Sequence, residues 1–156
     1  MLIMNSMFKN FALLILLGFI LPVFASAEDA GSAYPPQAII TASYRGDDSM
    51  VRELLAAGVD KDVRDALGAT ALHTAMLQSN LVVVKLLLDY GFDPNARATK
   101  NGNTPLHYAV ACNNIGAVRL LLQYNANKNI RNLEGLTPLE KARKEEKEEI
   151  VKILYR

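Results

Sequence analysis

Four alanines, Ala42, Ala75, Ala109 and Ala142, step along the chain by 33, 34 and 33. Three of them close a word of similar letters. Gly102-Asn103-Thr104-Pro105-Leu106-His107-Tyr108-Ala109 is the fullest version. Gly68-Ala69-Thr70-Ala71-Leu72-His73-Thr74-Ala75 precedes it, and Gly135-Leu136-Thr137-Pro138-Leu139-Glu140-Lys141-Ala142 follows. A worn first copy, Gln37-Ala38-Ile39-Ile40-Thr41-Ala42, keeps only the apolar positions and the alanine. A unit this short cannot bury a hydrophobic face by itself, so successive units must stack. The period therefore predicts a solenoid, in which each unit touches only its neighbours.

The letters inside the period say what each unit contains. Thr104 can cap a helix with its hydroxyl, and Pro105 at the first helical position gives up no needed N–H. Thr137-Pro138-Leu139-Glu140 reads as a capping box. The small Ala75, Ala109 and Ala142 let helices approach closely. A second, apolar helix then runs to a turn in Glu53-Leu54-Leu55-Ala56-Ala57-Gly58, Leu86-Leu87-Leu88-Asp89-Tyr90-Gly91 and Leu120-Leu121-Leu122-Gln123-Tyr124-Asn125. Gly58 and Gly91 suit a left-handed helix end, with Asn125 the next-best residue there. Leu86, Leu87, Leu120 and Leu121 are expected to fill the core between units.

Together the Thr-Pro-Leu-His word and the Leu-Leu-Leu run resemble the ankyrin repeat, a β-turn plus two antiparallel helices in about 33 residues. The resemblance covers residues 35–156. It implies an all-α fold, a solenoid of four stacked helix-turn-helix repeats with β-turn or hairpin loops. The repeats are expected near 35–64, 65–97, 98–131 and 132–156. Tyr34, Gln37 and the missing Thr-Pro word mark the first as the N-terminal cap, because a terminal repeat presents a solvated outer face. Its helices are expected over 36–45 and 48–57, with Asp47 or Asp48 as a cap. The charged stretch from Arg143 to Leu154 reads as the C-terminal cap, with Ile150, Ile153 and Leu154 facing inward. Asp93 to Gly102 is one residue longer than Asp60 to Gly68, so the turn Ala98-Thr99-Lys100-Asn101 is expected to bulge.

Ahead of the repeats lies a stretch of different character. Lys9, the apolar run Phe11 to Leu21 and the small-residue word Ala25-Ser26-Ala27 form the three regions of a secretory signal peptide over 1–27. The run is shorter than the roughly 20 apolar residues that span a bilayer, and Pro22 ends it. Cleavage is expected after Ala27, leaving no membrane anchor, and residues 28–34 read as a flexible linker. An ankyrin-like domain behind such a leader points to a bacterial periplasmic or secreted protein.

The mature chain would be charge-balanced. Of 17 Lys+Arg the leader holds one, leaving 16 against 16 Asp+Glu. Nothing in that balance favours nucleic acid. The single Cys112 rules out an internal disulfide framework. His73 and His107 share a register one period apart, which raises the idea of a metal or acid–base pair. The family resemblance instead implies that each bonds the neighbouring turn and a Thr hydroxyl. No third ligand type recurs beside them, and no phosphate-cradling loop or nucleophile elbow appears. Neither catalysis, metal nor cofactor is expected.

Binding remains, and a solenoid says where. Its concave face of turn tips and first-helix ends is the surface such proteins use for protein partners. The candidate contact residues are Tyr44 and Arg45 in the first repeat, and Leu67, Leu77 and Gln78 in the second. Lys100, Asn101, Asn103 and Cys112 follow in the third, and Leu133 and Leu136 in the fourth. Arg64, Arg97 and Arg131 share a register and are expected to stack into a basic ladder, unless local acids such as Asp65 pair with them. With Leu67, Leu133 and Leu136, the ladder suits a partner with acidic and apolar patches.

The expected protein is thus a monomeric, non-enzymatic scaffold or adaptor for one protein partner. The alternatives are an inhibitor or immunity-type protein that blocks a secreted toxin or hydrolase, and an enzyme using the His73/His107 pair. An alkaline phosphatase fused at Glu28 is expected to be active outside the cytosol, and Leu16→Arg in the leader to abolish that activity. An inactive fusion would contradict the leader.

Overall fold

A computed structural model describes residues 34–156; the leader expected over 1–27, and the linker as far as residue 33, lie outside the described residues. Among the described residues eight helices follow one another in pairs. The first helices are α1 (Ala38–Arg45), α3 (Ala71–Ala75), α5 (Pro105–Ala111) and α7 (Pro138–Lys144). The second helices are α2 (Asp48–Ala56), α4 (Leu81–Asp89), α6 (Ile115–Gln123) and α8 (Glu148–Tyr155). First helices pack on first helices and second on second, in chain order. This is the all-α solenoid of four stacked hairpins that the family resemblance implies.

The second helices begin on a cap the period also carries. Asp47, Asn80 and Asn114 occupy the N-cap, each accepting a backbone N–H of the first turn: Met50, Val82 and Ala117 at 3.0 Å. The asparagine amides reach across to the previous repeat as well. Asn80 donates to the Gly46 carbonyl at 2.8 Å, and Asn114 to that of Gln78 at 2.9 Å. One residue therefore starts a helix and ties two repeats together.

Burial then follows helical spacing. Leu54, Leu87, Leu121 and Leu154 recur once per period and are all enclosed. Val51, Val84, Val118 and Ile150 join them, against the small Ala42, Ala75, Ala109 and Ala142 of the first helices. Leu86 and Leu120 depart from expectation, being only partly buried. They stand one residue before the enclosed leucines, which rotates them about 100° toward the rim of the stack.

At the N-termini of α3, α5 and α7 a capping box recurs, the Thr side chain facing the N–H of the third helical residue and that residue's side chain facing the Thr N–H. Thr137 and Glu140 do form the expected capping box: Glu140 N–H donates to Thr137 Oγ1 at 3.2 Å, and Thr137 N–H to Glu140 Oε2 at 2.7 Å. In α3 and α5 a histidine holds the third helical position. Thr70 N–H donates to His73 Nδ1 at 3.1 Å, and Thr104 N–H to His107 Nδ1 at 3.2 Å. His73, His107 and Glu140 thus perform the same capping act with different chemistry.

Gly68 and Gly135 occupy equivalent turn positions with φ of 74° and 77°. Their surroundings differ. A Cβ on Gly68 would lie 2.6 Å from the Thr99 backbone N, whereas one on Gly135 would meet nothing within 4 Å. Gly135→Ala is expected to cost about 1–2 kcal/mol from the left-handed backbone alone. Gly68→Ala adds a clash with the next turn and should cost roughly 3–5 kcal/mol. Equal losses in urea unfolding would show that the turns do not stack this way.

Candidate partner-binding face

The turns between hairpins form a short ladder. In the turn before α3, Asp65 N–H donates to the Ala69 carbonyl at 3.0 Å, and before α7 Asn132 N–H to that of Leu136 at 2.9 Å. The turn before α5 carries the additional residue, and there Ala98 N–H spans to the Asn103 carbonyl at 2.9 Å. Its inner bond widens too: Gly102 N–H reaches back four residues to Ala98, where Gly68 and Gly135 reach back three. The expected bulge is this wider turn. Neighbouring tips are joined by Lys100 N–H to the Leu67 carbonyl at 3.2 Å and Leu133 N–H to that of Asn101 at 2.9 Å.

Several of the polar tip residues are engaged within this ladder. Asn101 Oδ1 accepts Asn103 N–H at 2.9 Å, and Asn103 Oδ1 accepts the Asn132 amide at 2.8 Å. Leu136 is half-buried, its N–H donating to Asn132 Oδ1 at 3.0 Å. Asp65 accepts Leu67 N–H at 2.8 Å and Ala69 N–H at 2.9 Å, so its carboxylate shapes the turn and forms no ion pair with an arginine among the described residues. Asn132, which sequence reasoning missed, has the same role; its aspartate counterpart Asp65 was the available signal.

The two histidines sit where the ladder meets the helices. Both are fully enclosed. Since Nδ1 accepts the Thr N–H, the ring proton must reside on Nε2, which faces a carbonyl: Asn103 at 3.1 Å for His73 and Leu136 at 2.9 Å for His107. The Thr70 hydroxyl adds a bond to His73 Nδ1 at 2.8 Å, and Tyr108 stands edge-on to the His73 ring at 5.1 Å. Each imidazole is thereby a neutral clasp to the next repeat, with no ring nitrogen left for metal or substrate. Burial pushes the His73 pKa down to about 4, with Arg64 adding to the effect, and lowers that of His107. Among the described residues no group of three His, Cys, Asp or Glu is placed to hold a metal.

The three arginines of the expected ladder, for which pairing with local acids is the alternative, differ in their partners. Arg64 Nη1 donates to the Gly68 carbonyl at 2.8 Å and the Arg97 carbonyl at 2.9 Å. Arg131 Nη1 donates to the Gly135 carbonyl and to Glu140 Oε2, both at 2.6 Å. The Glu140 carboxyl is held below its ordinary range by the Thr137 N–H and then by Arg131. The Arg97 side chain makes no hydrogen bond or ion pair among the described residues. It stands five residues before its turn glycine, where Arg64 and Arg131 stand four before theirs.

Beside the tips runs a second row, at the C-terminal ends of the first helices. Tyr44, Leu77, Ala111 and Lys144 share a register and are all exposed, Tyr44 by 53 % and Leu77 by 44 %. Arg45, Gln78 and Cys112 follow one residue later; Arg45 and Cys112 are exposed and Gln78 half-buried. Cys112 has no activating partner among the described residues. Burial of its sulfur and the nearby Glu145 raise the thiol pKa, although the residue as a whole is exposed.

The opposite side offers a shallow groove of about 440 Å³ between α4 and α6, lined by Leu81, Val82, Gly116 and Leu120. The cations on its rim are engaged, Lys85 with Asp89 at 2.5 Å and Arg119 with Glu149 at 3.8 Å. Among the described residues no helix is long and apolar enough to cross a membrane.

A family model for ankyrin repeats in three copies matches residues 38–132. The chain belongs to the ankyrin-repeat family. Ankyrin repeats are in general protein–protein interaction modules. Among curated proteins the chain is similar to E3 ubiquitin-protein ligase KEG of Arabidopsis thaliana, 45% identical over 53 residues. That match covers 33% of this chain and 3% of the ligase, so the likeness is confined to a small part of a much longer protein.

The clasp carries a pH dependence. In the unfolded chain His73 takes up its proton near pH 6.5; in the folded ankyrin stack it does so only near pH 4. Stability is whole above pH 6.5 and falls as the pH drops through that window, because the unfolded state binds the extra proton. His73 alone should remove about 2 kcal/mol between roughly pH 6.5 and 5. His73→Gln keeps an acceptor for the Thr70 N–H and should flatten that part of the urea-midpoint profile. An unchanged slope would refute the neutral clasp.

Proposed function

We propose that this ankyrin-repeat protein is a non-enzymatic binding module that holds one protein partner on its turn tips and first-helix ends, outside the cytosol. The observation that carries the reading is the exposed row Tyr44, Leu77 and Ala111. These apolar side chains recur in register, yet no neighbouring repeat covers them. Solvent alone does not favour such a row, and a partner's surface would. Tyr44 adds the aromatic character that interface cores prefer.

The two imidazoles, the residues most suggestive of chemistry, have both ring nitrogens bonded within the stack. That supports binding over catalysis. The leader word from Phe11 to Ala27 supports export.

Affinity capture from a cell-envelope extract with the processed protein as bait tests the assignment, followed by titration of the captured partner. Tyr44→Asp with Leu77→Asp should weaken that complex by about 1,000-fold, since truncated interface anchors cost roughly 2 kcal/mol or more each. Val82→Asp, on the opposite groove, should leave it unchanged. A complex lost with Val82→Asp and kept in the double variant would move the binding face to the second helices.

A further inference from the structure

Arg97 differs from its two counterparts for a geometrical reason. In the turns before α3 and α7 the arginine stands four residues before the glycine and donates to that glycine's carbonyl. The inserted residue between Ala98 and Gly102 lengthens the span to five, and the bond is not made. Arg131 also has Glu140 in reach, whereas the corresponding position in α5 is His107, a neutral base already bonded on both sides. A single insertion and a single Glu-to-His difference therefore leave one guanidinium of the three without a partner among the described residues.

Its neighbours are the exposed apolar residues of the same tips. A point one Cβ length from Gly102 lies 2.8 Å from Arg97 Nη2 and 3.0 Å from Leu133 Cγ, so the two side chains converge over that glycine. Leu133 is 66 % exposed, and Leu67, whose carbonyl holds Lys100 N–H, is 51 % exposed. Lys100 is exposed and makes no ion pair among the described residues. Acids at the tips are occupied: Asp65 by two backbone N–H groups, Glu134 by Lys144 at 3.0 Å. Two uncompensated cations thus lie between two exposed leucines.

We infer that the turn before α5 is the anchor of the binding face, and that it takes a protein segment bearing a carboxylate flanked by apolar side chains. The carboxylate pairs with the Arg97 fork, which suits planar two-oxygen acceptors. The flanking apolar groups cover Leu133 and Leu67 and shield that pair from solvent. The inference rests on the protein-binding reading above and names the partner's chemistry.

The test uses the full processed chain and a phage library of random dodecapeptides, with the best binder synthesised for titration. Enriched peptides should carry Asp or Glu beside Leu, Ile or Phe. Their affinity should fall about thirtyfold in Arg97→Gln and in Leu133→Ser, the loss typical of an interface anchor. Arg97→Lys should recover only part of it, and Lys152→Gln, which removes an exposed cation from α8, should change nothing. Binders without an acid, no enrichment at all, or an equal loss with Lys152→Gln would overturn the inference. Binders lost with Leu77→Asp but indifferent to Arg97→Gln would overturn it while leaving the wider reading intact; indifference to both would sink the two together.

Discussion

Everything in this molecule depends on the column formed by Leu54, Leu87, Leu121 and Leu154. Each is enclosed by the hairpin that carries it and the hairpins beside it, and none could be buried by one hairpin alone. The first helices are as short as five residues, far below the length at which an isolated helix holds in water. Their stability is borrowed from this contact. The alanines facing the column let the helices approach, and the leucines supply the area removed from water.

A stack held only by leucines could slide or splay, and the polar groups prevent it. Asn80, Asn114, His73 and His107 each start a helix and reach into the adjacent repeat with the other end of the same side chain. That double duty explains why the enclosed histidines and the half-buried asparagines are satisfied. It also sets the molecule's weak point in acid, since an imidazole that must accept at Nδ1 loses the bond when protonated. In the fourth repeat a carboxylate replaces the imidazole. Glu140 caps its helix and turns its remaining reach to Arg131 instead of to a neighbouring carbonyl.

The same logic separates frame from exposed surface. Side chains that a turn or the following repeat needs are engaged: Arg64, Asn101, Asn103. Those it does not need stand in solvent: Tyr44, Leu77, Leu67, Leu133 and, through one inserted residue, Arg97. An ankyrin stack is an indifferent frame, and under the proposed function it is these exposed residues that would confer recognition, because fold does not fix function.

The sequence by itself determined the period, the helix pairs and the capping words, because each depends on spacing and on residues close in the chain. It marked the leucine runs, but not that Leu87 and Leu121, rather than Leu86 and Leu120, are enclosed. It also marked the inserted residue before α5 and the shared register of the histidines. What only the tertiary structure decided is which polar groups are already taken. Arg64, Arg97 and Arg131 look alike in the sequence, and Asp65 looks like a fit partner for the first of them. Whether a guanidinium meets a carbonyl, a carboxylate or solvent depends on ångström-scale turn geometry between repeats a full period apart, a separation at which the letters alone carry no orientation.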